Sequence, residues 1–416
     1  MITKFVARDE LIAQLKRYSI AVVAPASVSG VNFIVSLVAL SALDPRAFGV
    51  FSFMLVALQS LYGVSNAMLC APYLIAVTGE SSSRLVQPAD LAANNLLFSG
   101  VCGLCGAGAA IAFGHKEAAV PVALYVLLSL MRWFLRNHLY SSQRTNYAAV
   151  SDLIFTFSLG IGIAVCWSIG PTFSNIFMAY AVAAGAAVLG QVSETREVLA
   201  WPSARHLAAY LPVWRDQARW SLAGVLATDA AANSHSWLVT IMAGPRAYAP
   251  IAAASVFYKP ISMLGTSLSQ LERPVMARAI ASGDRQAAFI TMKRFRWALM
   301  LAFLGNIGTI FLILTFAPEW VMREGYDRSA VLISATLLAI ASGLYAWRLP
   351  EGNILQAAGQ FRLIFFAAIT AGVSSVAAVS AILLFAAPVW TILGVVIGNI
   401  VFAVRLKIVQ QRWAAS

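Results

Sequence analysis

Long apolar runs separated by short polar segments fill the chain from about residue 19 to about residue 408. A hydrocarbon core about 30 Å thick takes roughly 20 residues of helix, and the runs have that length rather than the ten-residue alternation of barrel strands. They predict helical spans at 19–42, 48–77, 91–114, 118–139, 147–168, 172–192, 219–243, 247–277, 295–317, 329–349, 361–385 and 387–408. The runs at 48–77 and 247–277 are longer than the core requires and predict helices that tilt or project. Two segments are amphipathic instead. Residues 5–17 set Phe5, Leu11, Ile12 and Leu15 among charges, and residues 194–218 mix Trp201, Leu207, Tyr210 and Trp214 with Arg196, Arg205 and Arg215. Each reads either as a helix lying in the membrane interface or as a solvated linker.

Composition strengthens this reading: 60% of the 416 residues are hydrophobic and 11% charged, too little polar surface to cover a water-soluble fold of this length. The formal charge of +12 is spread between the apolar runs and forms no solvated block, which argues against nucleic acid as a partner. Of the 29 Lys and Arg, 22 fall on the side of the N-terminus and five opposite, so both termini are expected in the cytoplasm and the protein in the cell inner membrane, with an uncleaved first span. The outer connections are short, the longest being about residues 318–328, which leaves no room for an outward-facing enzyme site. The chain is expected to be no enzyme and to need no cofactor, and with no ATP-binding loop any driving force must come from an ion gradient, a partner or consumption downstream.

The two halves resemble one another. Arg17-Tyr18-Ser19 opens the first span and Arg219-Trp220-Ser221 the seventh, an offset of 202 residues. Pro45-Arg46-Ala47-Phe48 and Pro245-Arg246-Ala247-Tyr248 join the first and second spans of each half at an offset of 200, and Pro72 matches Pro274 at 202. An even number of spans per half gives repeats of the same membrane orientation, related by an axis along the membrane normal. The expected fold is therefore an all-α membrane protein with about 12 transmembrane helices in two pseudo-symmetric six-helix lobes around a central cavity. Its divisions are a cytoplasmic amphipathic N-terminus (1–18), a first lobe (19–192), an inter-lobe linker (193–218), a second lobe (219–408) and a tail (409–416). Chance similarity of apolar segments is the competing explanation of the repeat.

The lobe-opening Arg-aromatic-Ser, the Pro-Arg-Ala-aromatic turn and Ser267-Leu268-Ser269-Gln270 running to Pro274 resemble the polysaccharide-export branch of the multidrug/oligosaccharidyl-lipid/polysaccharide (MOP) exporter superfamily, which includes Wzx-type flippases. The resemblance spans nearly the whole chain in layout, while its motifs are diffuse. It implies alternating-access movement of an undecaprenyl-pyrophosphate-linked oligosaccharide between leaflets, for exopolysaccharide, capsule or O-antigen, with membrane lipids and other polysaccharide-export proteins as partners.

Charges inside the spans are the candidate chemistry, because each is costly in hydrocarbon unless it faces a cavity or a partner. Lys259 and Asp229 fall near mid-span, Arg132 and Arg136 lie one turn apart on the fourth span, and Asp152, Glu272 and Arg273 sit nearer the cytoplasm. A pyrophosphate is best met by Arg forks and Lys ammonium groups, which selects Lys259, Arg132, Arg136 and Arg273 as cavity cations. The bland readings are a Lys259–Asp229 ion pair and arginines snorkelling to lipid phosphates. Asp229 and His235 are candidates for ion coupling, while Asn94, Asn95 and Asn233, with Ser234, are candidates for meeting sugar hydroxyls or for holding helices together. Cys70, Cys102, Cys105 and Cys166 all fall in spans, and Cys102-x-x-Cys105 lacks a second ligand pair, so no metal site is expected. Gly103, Gly106 and Gly108 read as close helix packing, and Trp167, Trp320, Trp347 and Trp390 as interfacial anchors. Two rival functions differ in their requirements: a drug or organic-cation antiporter of the same superfamily wants an acidic cavity, and a membrane glycan polymerase or ligase wants a large outer loop.

Overall fold

The computed structural model describes residues 23–78, 87–316 and 325–415, and these are helical, with no β-strand among them. The amphipathic segment predicted at 5–17, the Arg17-Tyr18-Ser19 motif and Trp320 lie outside the described residues. Helices occupy all twelve predicted span positions. In chain order they are α1 (Val23–Ala42), α2 (Pro45–Ser65) with α3 (Ala71–Thr78), α4 (Pro88–Ala112), α5 (Ala119–Ser141), α6 (Thr145–Ile169) and α7 (Phe173–Thr195). After the linker helix α8 (Ala204–Val213) come α9 (Arg219–Leu238), α10 (Pro245–Val256) with α11 (Lys259–Ala281), α12 (Arg285–Phe316), α13 (Arg328–Ala357), α14 (Phe361–Phe385) and α15 (Ile392–Ala415). Ten of the positions are long and apolar enough to cross a membrane. The other two, α9 and α10 with α11, are diluted by Asp229, Asn233, His235, Lys259, Glu272 and Arg273. Phe157, Leu189, Leu301 and Leu384 point outward from their helices, apolar faces that hydrocarbon, not water, would cover. The chain is a multi-pass membrane protein.

The helices group into two compact units. One comprises the described residues up to Val38 and Leu58–Leu222, the other Ala39–Ala57 and the chain from Ala223 onward. The start of α2, which the sequence places in the first lobe, thus packs with the second unit. Phe53 meets Trp237 edge-on with ring centroids 5.0 Å apart, and Phe48 meets Tyr326 at 6.5 Å. Gly49 makes the approach possible, since a Cβ there would lie 2.1 Å from the Pro245 carbonyl oxygen. The Pro-Arg-Ala-aromatic turns of the two halves are therefore neighbours, each with its proline in the first turn of a helix, where the missing N–H is no loss.

Prolines also explain where the two long runs depart from a single helix. Pro72 cannot donate to the Met68 carbonyl; a π-turn over Asn66–Cys70 precedes it, and the Tyr210 hydroxyl of α8 donates to the Met68 oxygen at 2.9 Å. Burial pushes that hydroxyl up to about 12, so it remains a donor at ordinary pH. The run predicted as one helix over 247–277 is two. Pro260 lacks an N–H, the chain breaks at Phe257–Tyr258, and the Phe257 carbonyl accepts instead from Asn306 Nδ2 at 3.1 Å. The linker is docked on the first unit. His206 Nδ1 lies 2.6 Å from Asp90 Oδ1, and Asn94 Nδ2 donates to the His206 carbonyl at 2.9 Å. Of the glycine trio, Gly103 and Gly106 abut α5 closely, while Gly108 has nothing within 4 Å.

The same helix stop closes α4, α5, α11 and α13, and the α5 and α13 pair bears on the candidate site. At the end of α5, Ser142, Gln143 and Arg144 donate to the carbonyls of His138, Tyr140 and Leu139; at the end of α13, Ala358, Gly359 and Gln360 donate to those of Ile354, Gln356 and Leu355. Gln143 and Gly359 both take positive φ, as this type of helix stop requires. Arg132 of α5 and Arg348 of α13 thus lie at the same distance before stops of one type, 216 residues apart.

Gly49→Ala is expected to lower the thermal midpoint of the detergent-solubilised protein by several degrees, because a methyl forced against a backbone carbonyl costs about 1–3 kcal/mol. Gly108→Ala, which meets open space, should leave the midpoint unchanged or raise it slightly. Equal midpoints for the two variants in a fluorescence melting experiment would contradict the Gly49 contact.

Candidate functional site

A lone charge at mid-bilayer costs about 2.5–3.5 kcal/mol on insertion scales, so the partners of each buried ion decide what it can do. In the first unit α5 presents Tyr125, Ser129, Arg132 and Arg136 at helical spacing along one stripe, and α6 brings Asp152 against it. Asp152 is divided between the two arginines: Arg132 Nη2 donates to Oδ1 at 2.5 Å and Arg136 Nε to Oδ2 at 3.0 Å. Arg132 also lies over the Phe155 ring at 4.3 Å, and Arg136 over Tyr140 at 4.9 Å, whose hydroxyl it reaches at 3.2 Å. Around them Tyr62 stacks on Trp133 at 4.9 Å and Tyr125 packs on Tyr180 at 4.6 Å. One carboxylate against two guanidiniums leaves one positive charge, with Arg132 Nε and the Ser129 hydroxyl buried and without hydrogen bonds.

The second unit handles its cations differently. α13 continues through Pro350 and carries Arg348, Glu351 and Asn353 within its last three turns. Glu351, almost wholly buried, accepts from Arg296 Nη2 at 2.9 Å and lies 3.8 Å from Lys407 Nζ. Arg296 Nε also donates to the Trp347 carbonyl at 3.3 Å, one turn before Pro350. Arg348 and Arg273 have no carboxylate partner among the described residues. Arg348 Nε donates to Asn399 Oδ1 at 3.0 Å, with its guanidinium 4.5 Å from the Phe402 ring. Arg273 Nε donates to Asn353 Oδ1 at 3.2 Å, and Asn353 Nδ2 in turn donates to Ser269 Oγ at 3.0 Å and the Leu349 carbonyl at 2.9 Å. An amide oxygen orients a guanidinium without cancelling its charge.

The remaining sequence candidates are dispersed. Lys259 is the first residue of α11, directly after the break in the eighth span. Asp229 accepts from Asn233 Nδ2 at 2.9 Å, and His235, buried, meets the Ser236 hydroxyl at 3.2 Å. Asn94 fastens the linker helix, as described above. Asn95 lines an apolar cavity of about 270 Å³ with Ala92, Leu96, Met131, Phe134 and Leu135, and its Oδ1 has no hydrogen bond. Ser234 bonds Ser375 between α9 and α14 at 2.9 Å. The four cysteines are free thiols.

Sequence reasoning did not single out Tyr62, Tyr125, Ser129, Arg296, Arg348, Glu351, Asn353 or Asn399. The stripe on α5 had a legible signal in its spacing. The α13 cluster was hidden because the predicted span over 329–349 ends one residue after Arg348; the helix continues to Ala357 and carries the cluster with it.

No family model matches the sequence, and no curated protein matches it. Solved structures do. The chain is similar to an inward-facing multidrug resistance MATE family transporter of the MOP superfamily, with a TM-score of 0.69 at 14% identity over 96% of this chain and 98% of that one. It is similar to the lipid II flippase MurJ in an inward closed conformation, with a TM-score of 0.68 at 14% identity over 94% of this chain and 86% of that one. A MOP superfamily transporter from Pyrococcus furiosus Vc1, described as having a binding pocket of reverse polarity, matches with a TM-score of 0.58 at 14% identity, covering 96% of each chain. The fold of this chain is the one shared by MATE transporters and MurJ.

Asp152→Asn strands two buried guanidiniums. It is expected to destabilise the protein by about 3–5 kcal/mol, the range for removing one partner of a buried pair, whereas Asp152→Glu should retain most of the stability. Denaturant unfolding of the two variants in the same detergent checks this.

Proposed function

We propose that the chain is a flippase that carries undecaprenyl-pyrophosphate-linked oligosaccharide across the inner membrane for exopolysaccharide, capsule or O-antigen synthesis. The observation that carries the reading is the excess of uncompensated cations: Arg348 and Arg273 are held by amides, while Asp152 and Glu351 are each shared between two basic side chains. An anionic cargo supplies the missing countercharge; an organic cation would meet repulsion. The fold shared with MurJ, a lipid II flippase, agrees with a lipid-linked substrate. In this reading residues 19–192 and 219–408 form the two lobes, both termini are cytoplasmic, and the lobes rock so that Lys259, Arg273, Arg132 and Arg136 meet the pyrophosphate from alternating sides. Membrane lipids and other polysaccharide-export proteins are the partners.

The test is a reconstituted one, using liposomes and a fluorescent undecaprenyl-pyrophosphate-linked oligosaccharide whose outer-leaflet fraction is read by chemical quenching. The wild type should flip the probe, and Lys259→Ala and Arg273→Ala should slow it at least tenfold with the protein still inserted. A wild type that leaves the probe in place but exchanges an organic cation dye for protons would instead establish the antiporter. Abolishing the proton gradient separates coupled from uncoupled flipping. Gradient-insensitive transport would remove Asp229 and His235 from any coupling role.

A further inference from the structure

Arg348 and Arg132 each lie eleven residues before a helix stop of the same hydrogen-bond pattern. Each guanidinium lies on a phenylalanine ring from another helix, Phe155 at 4.3 Å and Phe402 at 4.5 Å. What differs is the side chain that holds it. In the first unit it is the carboxylate of Asp152; in the second it is the amide of Asn399, itself buried, which binds only Nε. Both terminal nitrogens of Arg348 are thus without a hydrogen-bond partner among the described residues, and neither is sealed among the fully buried unpartnered atoms. The nearest carboxylate along the helix, Glu351, is occupied by Arg296 and Lys407. The hydroxyl-bearing ring of Tyr345 lies 5.6 Å from the guanidinium and completes the surroundings.

We infer that Arg348, oriented by Asn399 and backed by Phe402 and Tyr345, is an anion subsite of the second unit that takes a phosphate oxygen pair of the cargo's pyrophosphate. A guanidinium tethered through Nε presents its two terminal N–H2 groups as a fork, and that fork matches two phosphate oxygens. The first unit meets its arginine with the Asp152 carboxylate, so one arginine has a charged partner and the other an uncharged one. Asn399 is a positioning residue: its oxygen aims the fork and its lack of charge leaves the fork available. The inference rests on the flippase reading for the identity of the cargo, and not for the existence of the subsite.

The decisive variant is Asn399→Asp, which copies into the second unit the arrangement that Asp152 makes in the first, and so should fold at least as well as the wild type. Inorganic pyrophosphate is titrated into the purified, detergent-solubilised full chain, and apparent affinity is read from the rise in thermal midpoint. The wild type should show a saturable rise, Asn399→Asp and Arg348→Gln at least a tenfold weaker affinity, and the control Gly108→Ala, whose added methyl meets open space, an affinity like that of the wild type. Phosphatidylglycerol micelles as the competing probe distinguish a lipid headgroup from the cargo: pyrophosphate should be preferred at least tenfold, and the reverse preference overturns the assignment to cargo. Wild-type pyrophosphate affinity in Asn399→Asp, or no saturable rise in the wild type, overturns the subsite. A chain that binds pyrophosphate through Arg348 yet flips no glycan lipid in liposomes keeps the subsite and overturns the flippase reading.

Discussion

Hydrocarbon offers nothing to a hydrogen-bonding group, and this constraint shapes the chain at every level. Each polar atom within the spans is answered by another protein atom or becomes a liability. Where a proline removes a backbone donor, a side chain is recruited nearby: Tyr210 at Met68 beside Pro72 and Asn306 at Phe257 beside Pro260. The breaks in the long helices are therefore stitched to neighbouring elements. A kink that in water would be repaired by solvent here fixes a tertiary contact.

The same rule applied to charges separates the two units. Asp152 sits under two guanidiniums and Glu351 between an arginine and a lysine, arrangements in which attraction offsets the loss of water. Arg273 and Arg348 break the pattern, since their amide partners hold position without charge. An excess of oriented cations is poorly explained by stability alone, for a hydrophobic or neutral residue would pack there at lower cost. In the proposed function the cargo brings the matching negative charge for part of a cycle.

Much of the architecture was legible in the sequence because the bilayer sets a length that apolar runs must meet. All twelve span positions are helical, and the Pro-Arg-Ala-aromatic turns recur as neighbouring structures. What the sequence did not disclose followed from proline. Run length carried one span through Pro260 and ended another before Pro350, the reverse of what the helices do: Pro260 follows the break between α10 and α11, and Pro350 lies inside a continuous α13. The consequence for the candidate site was direct: Arg132 and Arg136 were visible as a pair from their spacing, but their shared partner Asp152 comes from another helix. Arg348 was assigned to a span end and so lost its meaning. The choice of Asn rather than Asp at residue 399, on which the charge balance turns, is a matter of which residues meet in space.

The docked helix α8 has a mechanical implication. A 26-residue amphipathic connector would ordinarily act as slack rope between two bodies. Here Asp90, Asn94 and Met68 pin it down as far as Tyr210, and little more than the π-turn over Trp214–Ala218 remains before α9 and the second unit begin. Such a short, wound splice leaves little slack in the chain after α8. Anything that loosens the histidine or the tyrosine from its anchor would lengthen the untethered stretch of chain ahead of α9.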